Sequence, residues 1–313
     1  MVSTPAAAPS RCPDSSPAIH VSGLTKRYRD KVAVAGLNMS VPRGEVFGFL
    51  GPNGAGKTTT VKLLLGLARP TSGAGMVLGS PLGSLEARRQ VGYLPELFRY
   101  QGWLQAREVL ALHCRLARLE RSTWAAAIDG ALATVGLSAR ANDRVATFSK
   151  GMQQRLGLGV SLLGDPALVL LDEPTSALDP VGRHDVRQVI RGLRDRGVAV
   201  FLNSHLLSEV EQVCDRVAVV DHGRVIAAGS LEELLARPQV RIRCTGLDGS
   251  ALQALGGFGP VAADEGWLTF SGLDPERVPE LIGAMVASGG RVYEVDPGQQ
   301  SLEERFLQLI EEG

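Results

Sequence analysis

Lysine is scarce in this chain. Of the 33 basic residues among 313, the lysines are only Lys26, Lys31, Lys57, Lys62 and Lys150, so a position that keeps lysine is a candidate for needing one. Net charge is absent, with 33 basic against 33 acidic side chains. That balance removes the bulk electrostatic pull on a polyanion, and no nucleic-acid partner is expected. Cysteines are few and far apart (Cys12, Cys114, Cys214, Cys244). They lack the spacing of a metal site and the density of a secreted disulfide scaffold, which points to a reducing, cytoplasmic setting. Long apolar runs are missing too: stretches such as Ala167 to Leu171 fall far short of the ~18 residues that cross a bilayer.

What is present is 44% hydrophobic sequence, enough for one large domain and a small one. Residues 1–17 are rich in Pro, Ala and Ser without the apolar centre of a signal peptide, and are expected to be a disordered arm. From Val240 onward there are 12 acidic and 5 basic residues, net −7, which leaves +7 for residues 1–239. The change coincides with Ala236-Arg237-Pro238, where proline disfavours helix for its predecessor. Two domains are therefore expected, 18–235 and 240–313. In the first, short apolar runs alternate with longer helical patterns, the pattern of helices packed on a sheet.

Two apolar runs end in chemistry. Val46 to Leu50 reads as a buried strand, followed by GPNGAGKTT (Gly51, Pro52, Asn53, Gly54, Ala55, Gly56, Lys57, Thr58, Thr59) and a helical run from Thr58 to Leu67. Gly51, Gly56, Lys57 and Thr58 stand in register with the phosphate-binding loop, in its strand-loop-helix context. Glycine is needed where φ is positive or a Cβ would collide. Lys57 offers a compact charge to the β and γ phosphates of a nucleotide, and the following helix start adds its amides and dipole. Thr58 would hold magnesium. The second run, ALVLLDEP, ends in two carboxylates. Asp172 is placed as a magnesium ligand and Glu173 as the base for an attacking water.

With FSKGMQQRLGLG from Phe148, Ser176-Ala177-Leu178-Asp179 and Ser204-His205 added, the chain resembles the ATP-binding subunit of an ABC transporter, of the drug and antibiotic exporter type with a separate permease. The resemblance implies an α/β P-loop NTPase of ABC type with a helical subdomain at about 97–148, plus a small C-terminal α+β domain. It implies ATP and Mg2+ as cofactors, and an integral membrane permease and a second ATP-binding subunit as partners. It also implies a place on the inner face of the cell membrane. Ser149 and Gly151 occupy the signature positions that reach the partner subunit's nucleotide. Tyr28 resembles the residue that stacks on adenine, His205 the switch histidine at the γ phosphate, and Asp179 the residue that senses the opposite subunit. An edge-strand tyrosine and an ordinary helix cap are the plainer readings of Tyr28 and Asp179.

Three positions depart from the family pattern. Glu96, in VGYLPELF, replaces the usual glutamine and puts a further carboxylate near the metal, where it is a candidate catalytic and metal residue. Lys150 and Met152 replace a glycine and a glutamine of the signature. Phe98, Tyr100 and Trp103 either receive a permease helix or belong to the subdomain core. His113 and Cys114 read as packing residues. The tail carries strand patterns from Val240, Trp267 and Arg291, with helical segments near Ser250 and Pro275, and no catalytic constellation. The alternative to an exporter subunit is a soluble ATPase of the same superfamily acting on ribosomes or DNA. One motif set, with 92 residues from Lys57 to Ser149, argues against it.

Overall fold

The structure is a computed structural model that describes residues 16–176, 178–235, 239–264, 266–296 and 301–312. Apart from Ser16 and Pro17, the expected N-terminal arm lies outside the described residues, as do Ala236, Arg237 and Pro238 at the expected boundary. The chain divides into two compact units, one running to His205 and including Val220–Val225, the other made of Leu206–Val219 and the residues from Ile226 onward.

In chain order the first unit contains β1 (Ile19–Tyr28), β2 (Lys31–Val41), β3 (Val46–Leu50), α1 (Lys57–Leu64), β4 (Ser72–Val77), β5 (Ser80–Pro81), α2 (Leu85–Arg89) and β6 (Val91–Leu94). It continues with α3 (Ala106–Leu116), α4 (Trp124–Thr134), α5 (Lys150–Ser161), β7 (Leu168–Asp172), α6 (Pro180–Asp195) and β8 (Ala199–Asn203). Strands β3, β8, β7 and β6 run parallel in that spatial order. Every residue of β3, β7 and β8 is buried, which is why they read as unbroken apolar runs and not as alternating ones. Phe49 and Phe201 meet across neighbouring strands with ring centroids 5.2 Å apart. Each such burial is worth roughly 1.5–3 kcal/mol.

A second, antiparallel sheet has the order β2-β1-β4-β5. It was not foreseen, because register shifts in the β1–β2 pairing, at Val21/Leu24, Leu24/Lys26 and Lys26/Arg27, break the alternation that marks a strand in sequence.

Helices α3 and α4 fall within residues 97–148, and α5 follows that stretch. Cys114 is fully buried there, and the His113 ring meets Tyr100 edge-on at 5.7 Å. The aromatic cluster divides. Phe98 points to the place where a side chain on Gly157 would stand, 2.6 Å from its ring tip, and its ring is tilted by 49° against that of Tyr100 with centroids 5.3 Å apart. Trp103 stays 73% exposed. Two of the three aromatics are thus packing residues and one is a surface residue.

The second unit contains α7 (Leu207–Val213), β9 (Arg216–Asp221), β10 (Arg224–Ser230), whose connecting turn counts with the first unit, and α8 (Leu231–Leu235). The tail follows as β11 (Gln239–Thr245), α9 (Gly249–Ala254), β12 (Val261–Asp264), β13 (Trp267–Ser271), α10 (Val278–Ala287), β14 (Arg291–Asp296) and α11 (Leu302–Glu312). Its antiparallel sheet has the order β12-β13-β11-β14, the split β-α-β-β-α-β arrangement. Val240, Ile242 and Cys244 face a core shared with Phe270, Leu281 and Met285, while Arg241, Arg243 and Thr245 between them are exposed. Arg241 and Arg243 lie over the Trp267 ring, 4.9 and 5.9 Å from its centroid. The strand β12 escaped the sequence because Val-Ala-Ala-Asp has three exposed residues and one β-branched side chain.

Candidate nucleotide site

The carboxyl ends of β3, β8 and β7 lie side by side, and each hands on to a polar segment. After β3 the chain forms the loop 51–56 and enters α1 at Lys57, one residue before the expected start. The glycines are required for different reasons. At Gly56 the backbone takes φ 102°, a left-handed value, and a Cβ there would come within 2.2 Å of the Ala33 carbonyl oxygen. At Gly51 φ is not the constraint; a Cβ would strike the Val220 carbonyl oxygen at 2.2 Å. Neighbouring backbone thus holds the loop in shape: Gly223 N–H donates to the Ala55 carbonyl at 2.9 Å.

Lys57 is 8% exposed, and its Nζ donates to the carbonyls of Gly51 (2.7 Å) and Pro52 (3.2 Å). Burial pulls its pKa below the usual lysine value, opposed by the charges of Glu173, Asp172 and Glu96. Asp172 ends β7 in register with Asn203 at the end of β8. Burial pushes the Asp172 carboxyl above its ordinary range. A hydrogen bond from Asn203 Nδ2 to Oδ1 opposes the shift, Glu96 and Glu173 add to it, and Lys57 also opposes it.

Glu173 is held in an uncommon state. Its φ is 53°, the left-handed region that costs a non-glycine residue roughly 1–2 kcal/mol. The turn is fixed by its N–H donating to the Asn203 carbonyl at 2.9 Å and its carbonyl accepting from Ser176 Oγ at 3.0 Å. The side chain is buried, and Oε2 accepts no hydrogen bond. His205 Nδ1 stands 2.7 Å from that oxygen, close enough for an ion pair but without hydrogen-bond alignment. A buried carboxylate oxygen without a donor is costly, and that cost marks a place built to receive a proton or a donor.

The remaining predicted residues sit on separate elements. Ser149 caps α5, its Oγ accepting from Met152 N at 3.2 Å, and Gly151 lies in the first turn. Asp179 caps α6, accepting from Gly182 N at 2.8 Å. Tyr28 ends β1, 47% exposed, with Lys26 Nζ 4.8 Å from its ring centroid. Glu96 is exposed beyond β6, and its charge is felt at Lys57, Asp172 and Tyr93. None of Ser149, Asp179 and Tyr28 hydrogen-bonds to the loop 51–59 among the described residues.

Sequence reasoning missed two neighbours. Asn203 donates to Asp172 and keeps its own buried Oδ1 without a partner. Tyr93 has its phenol pushed up to about 12 by burial and then by Asp172 and Glu96. The available signal for Asn203 was a polar residue closing an apolar strand just before Ser204-His205.

These groups fit a polyphosphate with a divalent cation. The loop and the start of α1 offer backbone amides, a buried cation and a threonine, and the strand ends offer a carboxylate and two unbonded polar oxygens. Among the described residues no group of three or more His, Cys, Asp or Glu could hold a metal alone. A magnesium ion needs few protein ligands when phosphate oxygens share its coordination, so Thr58 and Asp172 suffice in kind. Two concavities of about 520 Å3, lined by residues such as Ala126, Gly130, Arg155 and Val189, lie away from these strand ends. Their shape draws no chemistry, so the convergence of buried polar groups is the better guide.

The family model for ABC transporters matches residues 34–176. An uncharacterized ABC transporter ATP-binding protein of Nostoc is 39% identical over 307 residues, which covers 94% of this chain and 90% of that protein. The chain belongs to the ABC transporter ATP-binding proteins. Other ABC relatives match a smaller share of the chain. A Nod factor export ATP-binding protein of Rhizobium is 39% identical over 71% of this chain and 73% of its own length. A solved ATP-binding subunit of an ABC transporter superposes with a TM-score of 0.63 at 30% identity, over 70% of this chain and 92% of that one. The matched segment takes in the loop 51–59, Ser149, Asp172 and Glu173 and stops before Asp179 and His205.

Proposed function

We propose that this protein hydrolyses Mg-ATP at a site completed by a second ATP-binding subunit, and that the cycle drives an export permease carried on a separate chain. The observation that carries the reading is the Glu173 carboxylate: buried, strained in backbone, unbonded at Oε2 and 2.7 Å from His205. Such a group takes a proton from an attacking water, and His205 orients it. Lys57 and the amides of Gly54 to Thr59 hold the phosphates, with Gly51, Pro52 and Asn53 shaping the turn. Thr58 and Asp172 hold magnesium, which neutralises charge on the transferred phosphoryl. Glu96 adds a carboxylate at the rim of that site, and Tyr28 stacks on the adenine.

Ser149 and Gly151, at the start of α5, and Asp179, at the start of α6, are the groups offered to the nucleotide of the second subunit in a head-to-tail dimer. Both places are helix N-termini, where anions bind well. No helix among the described residues is long and apolar enough to cross a membrane, and in this reading the permease is the chain that spans it. Leu97 (87% exposed) and Trp103 (73%) give that chain an apolar landing beside α3, at the inner face of the cell membrane. In domain terms, 18–235 is the ATP-binding part, with its helical subdomain at about 97–148, and 240–313 is an accessory part. A Nod factor exporter among the relatives supports export.

The test has two arms. Phosphate release from ATP by the purified protein, compared with Glu173→Gln, reads the chemistry. Tagged protein recovered from gently solubilised membranes reads the partner. Equal amounts of a multi-span membrane protein support the permease, whereas ribosomal or DNA-bound material would transfer the same ATP chemistry to a soluble role.

A further inference from the structure

The division between the two units falls between His205 and Leu206. The helix that follows the histidine, α7, counts with the tail and not with the strands that hold Asp172 and Glu173. The reason is visible in α11. Ser301 and Glu304 cap each other at its start: Glu304 N–H donates to Ser301 Oγ at 3.2 Å and Ser301 N–H to Glu304 Oε2 at 3.2 Å. The next amide, Leu302 N–H, donates across 91 residues to Glu211 Oε2 on α7 at 3.3 Å. Leu302 is 1% exposed and Leu309 9%, two turns apart on one face, while Leu307 on the other face is 56% exposed. That inner face packs on α7 and α8.

A helix of seven residues such as α7 is too short to be stable alone and takes its stability from what packs on it. Its N-cap is Leu206, bonded directly to His205. From these contacts we infer that α11 is a brace for α7, and that Glu211, Leu302 and Leu309 are positioning residues for His205. The inference rests on the hydrolytic reading of His205 and Glu173. Helix α11 thereby sets how often the histidine stands where it can meet the base.

Three variants test it: a chain ending after residue 300, Leu302→Ala with Leu309→Ala, and the milder Glu211→Met, which removes the acceptor and keeps a side chain of similar length. Turnover should fall at least about five-fold in the first two, with the affinity for ATP unchanged, since small misplacements near a reacting group cost that much or more. In a His205→Ala background the same changes should have no further effect on turnover, because the histidine through which they act is gone. Equal losses in both backgrounds, or no loss in either, overturn the proposal. Amide hydrogen exchange gives a reading independent of hydrolysis. Residues 204–213 should exchange faster in all three variants than in the parent, and unchanged exchange there also overturns the brace. If the parent protein lacks turnover while exchange responds as expected, the hydrolytic reading fails and the brace on α7 stands.

Discussion

The strand ends of the first unit and the tail after Val240 solve opposite problems. Around β3, β7 and β8 the protein buries Lys57, Asp172, Glu173, Thr175, Asn203 and Ser204, and leaves two polar oxygens unbonded. In the tail, among the described residues, every buried residue is apolar or cysteine. Burying polar groups costs stability, and a fold accepts that only where they act. The tail core, Val240, Ile242, Phe270, Leu281 and Met285, obeys packing alone. The difference separates a part that holds buried polar groups together from a part whose described core is apolar.

The sharpest way to break this contrast is Glu173→Gln. Turnover should fall by about two orders of magnitude or more while ATP still binds; near-normal phosphate release would remove Glu173 from its role. The counterpart in the tail is Phe270→Ala, which empties a fully buried position. Thermal or denaturant unfolding should show the tail destabilised by about 3–5 kcal/mol, with ATP affinity unchanged. Lost ATP affinity would mean that the tail is part of the site.

A smaller effect is expected from Asn203→Ala, which leaves Asp172 Oδ1 without its donor. Stability should drop by about 1–3 kcal/mol, measured by denaturant titration, with weaker magnesium dependence of turnover. The smallest concerns pH. Burial lifts the Asp172 pKa, so the folded protein still holds a proton there after the unfolded chain has released it. Stability therefore falls as pH rises from the ordinary carboxylate range to the folded value, and the loss is complete above it. Asp172→Asn should flatten that slope and raise the melting temperature at neutral pH, checked by melting scans across the acid range. Lys57 and Asn203 limit the gain.

The contrast also explains what could be read in advance. Strands β3 and β7 were legible within a residue or so because parallel strands covered on both faces are unbroken apolar runs. The loop between β3 and α1 was legible because its glycines answer to backbone clashes, which leave a fixed spacing in sequence. Asn203 was not, since a polar residue at a strand end looks like the start of any turn until its register opposite Asp172 is known. Nor could sequence divide Phe98 and Tyr100 from Trp103, because what decides is the space left by Gly157 on a helix some sixty positions away. The packing of α11 on α7, with its hydrogen bond from Leu302 to Glu211, joins segments 91 residues apart, which no local pattern announces.

The left-handed backbone at Glu173 has a consequence for how the protein can change. Glycine at that position would relieve the strain and remove a buried carboxylate, so the variant should melt at a higher temperature than its parent while hydrolysing almost nothing. Selection for durability alone would discard the glutamate, so a gain in stability paired with lost hydrolysis in that variant would mark it as a residue kept for turnover.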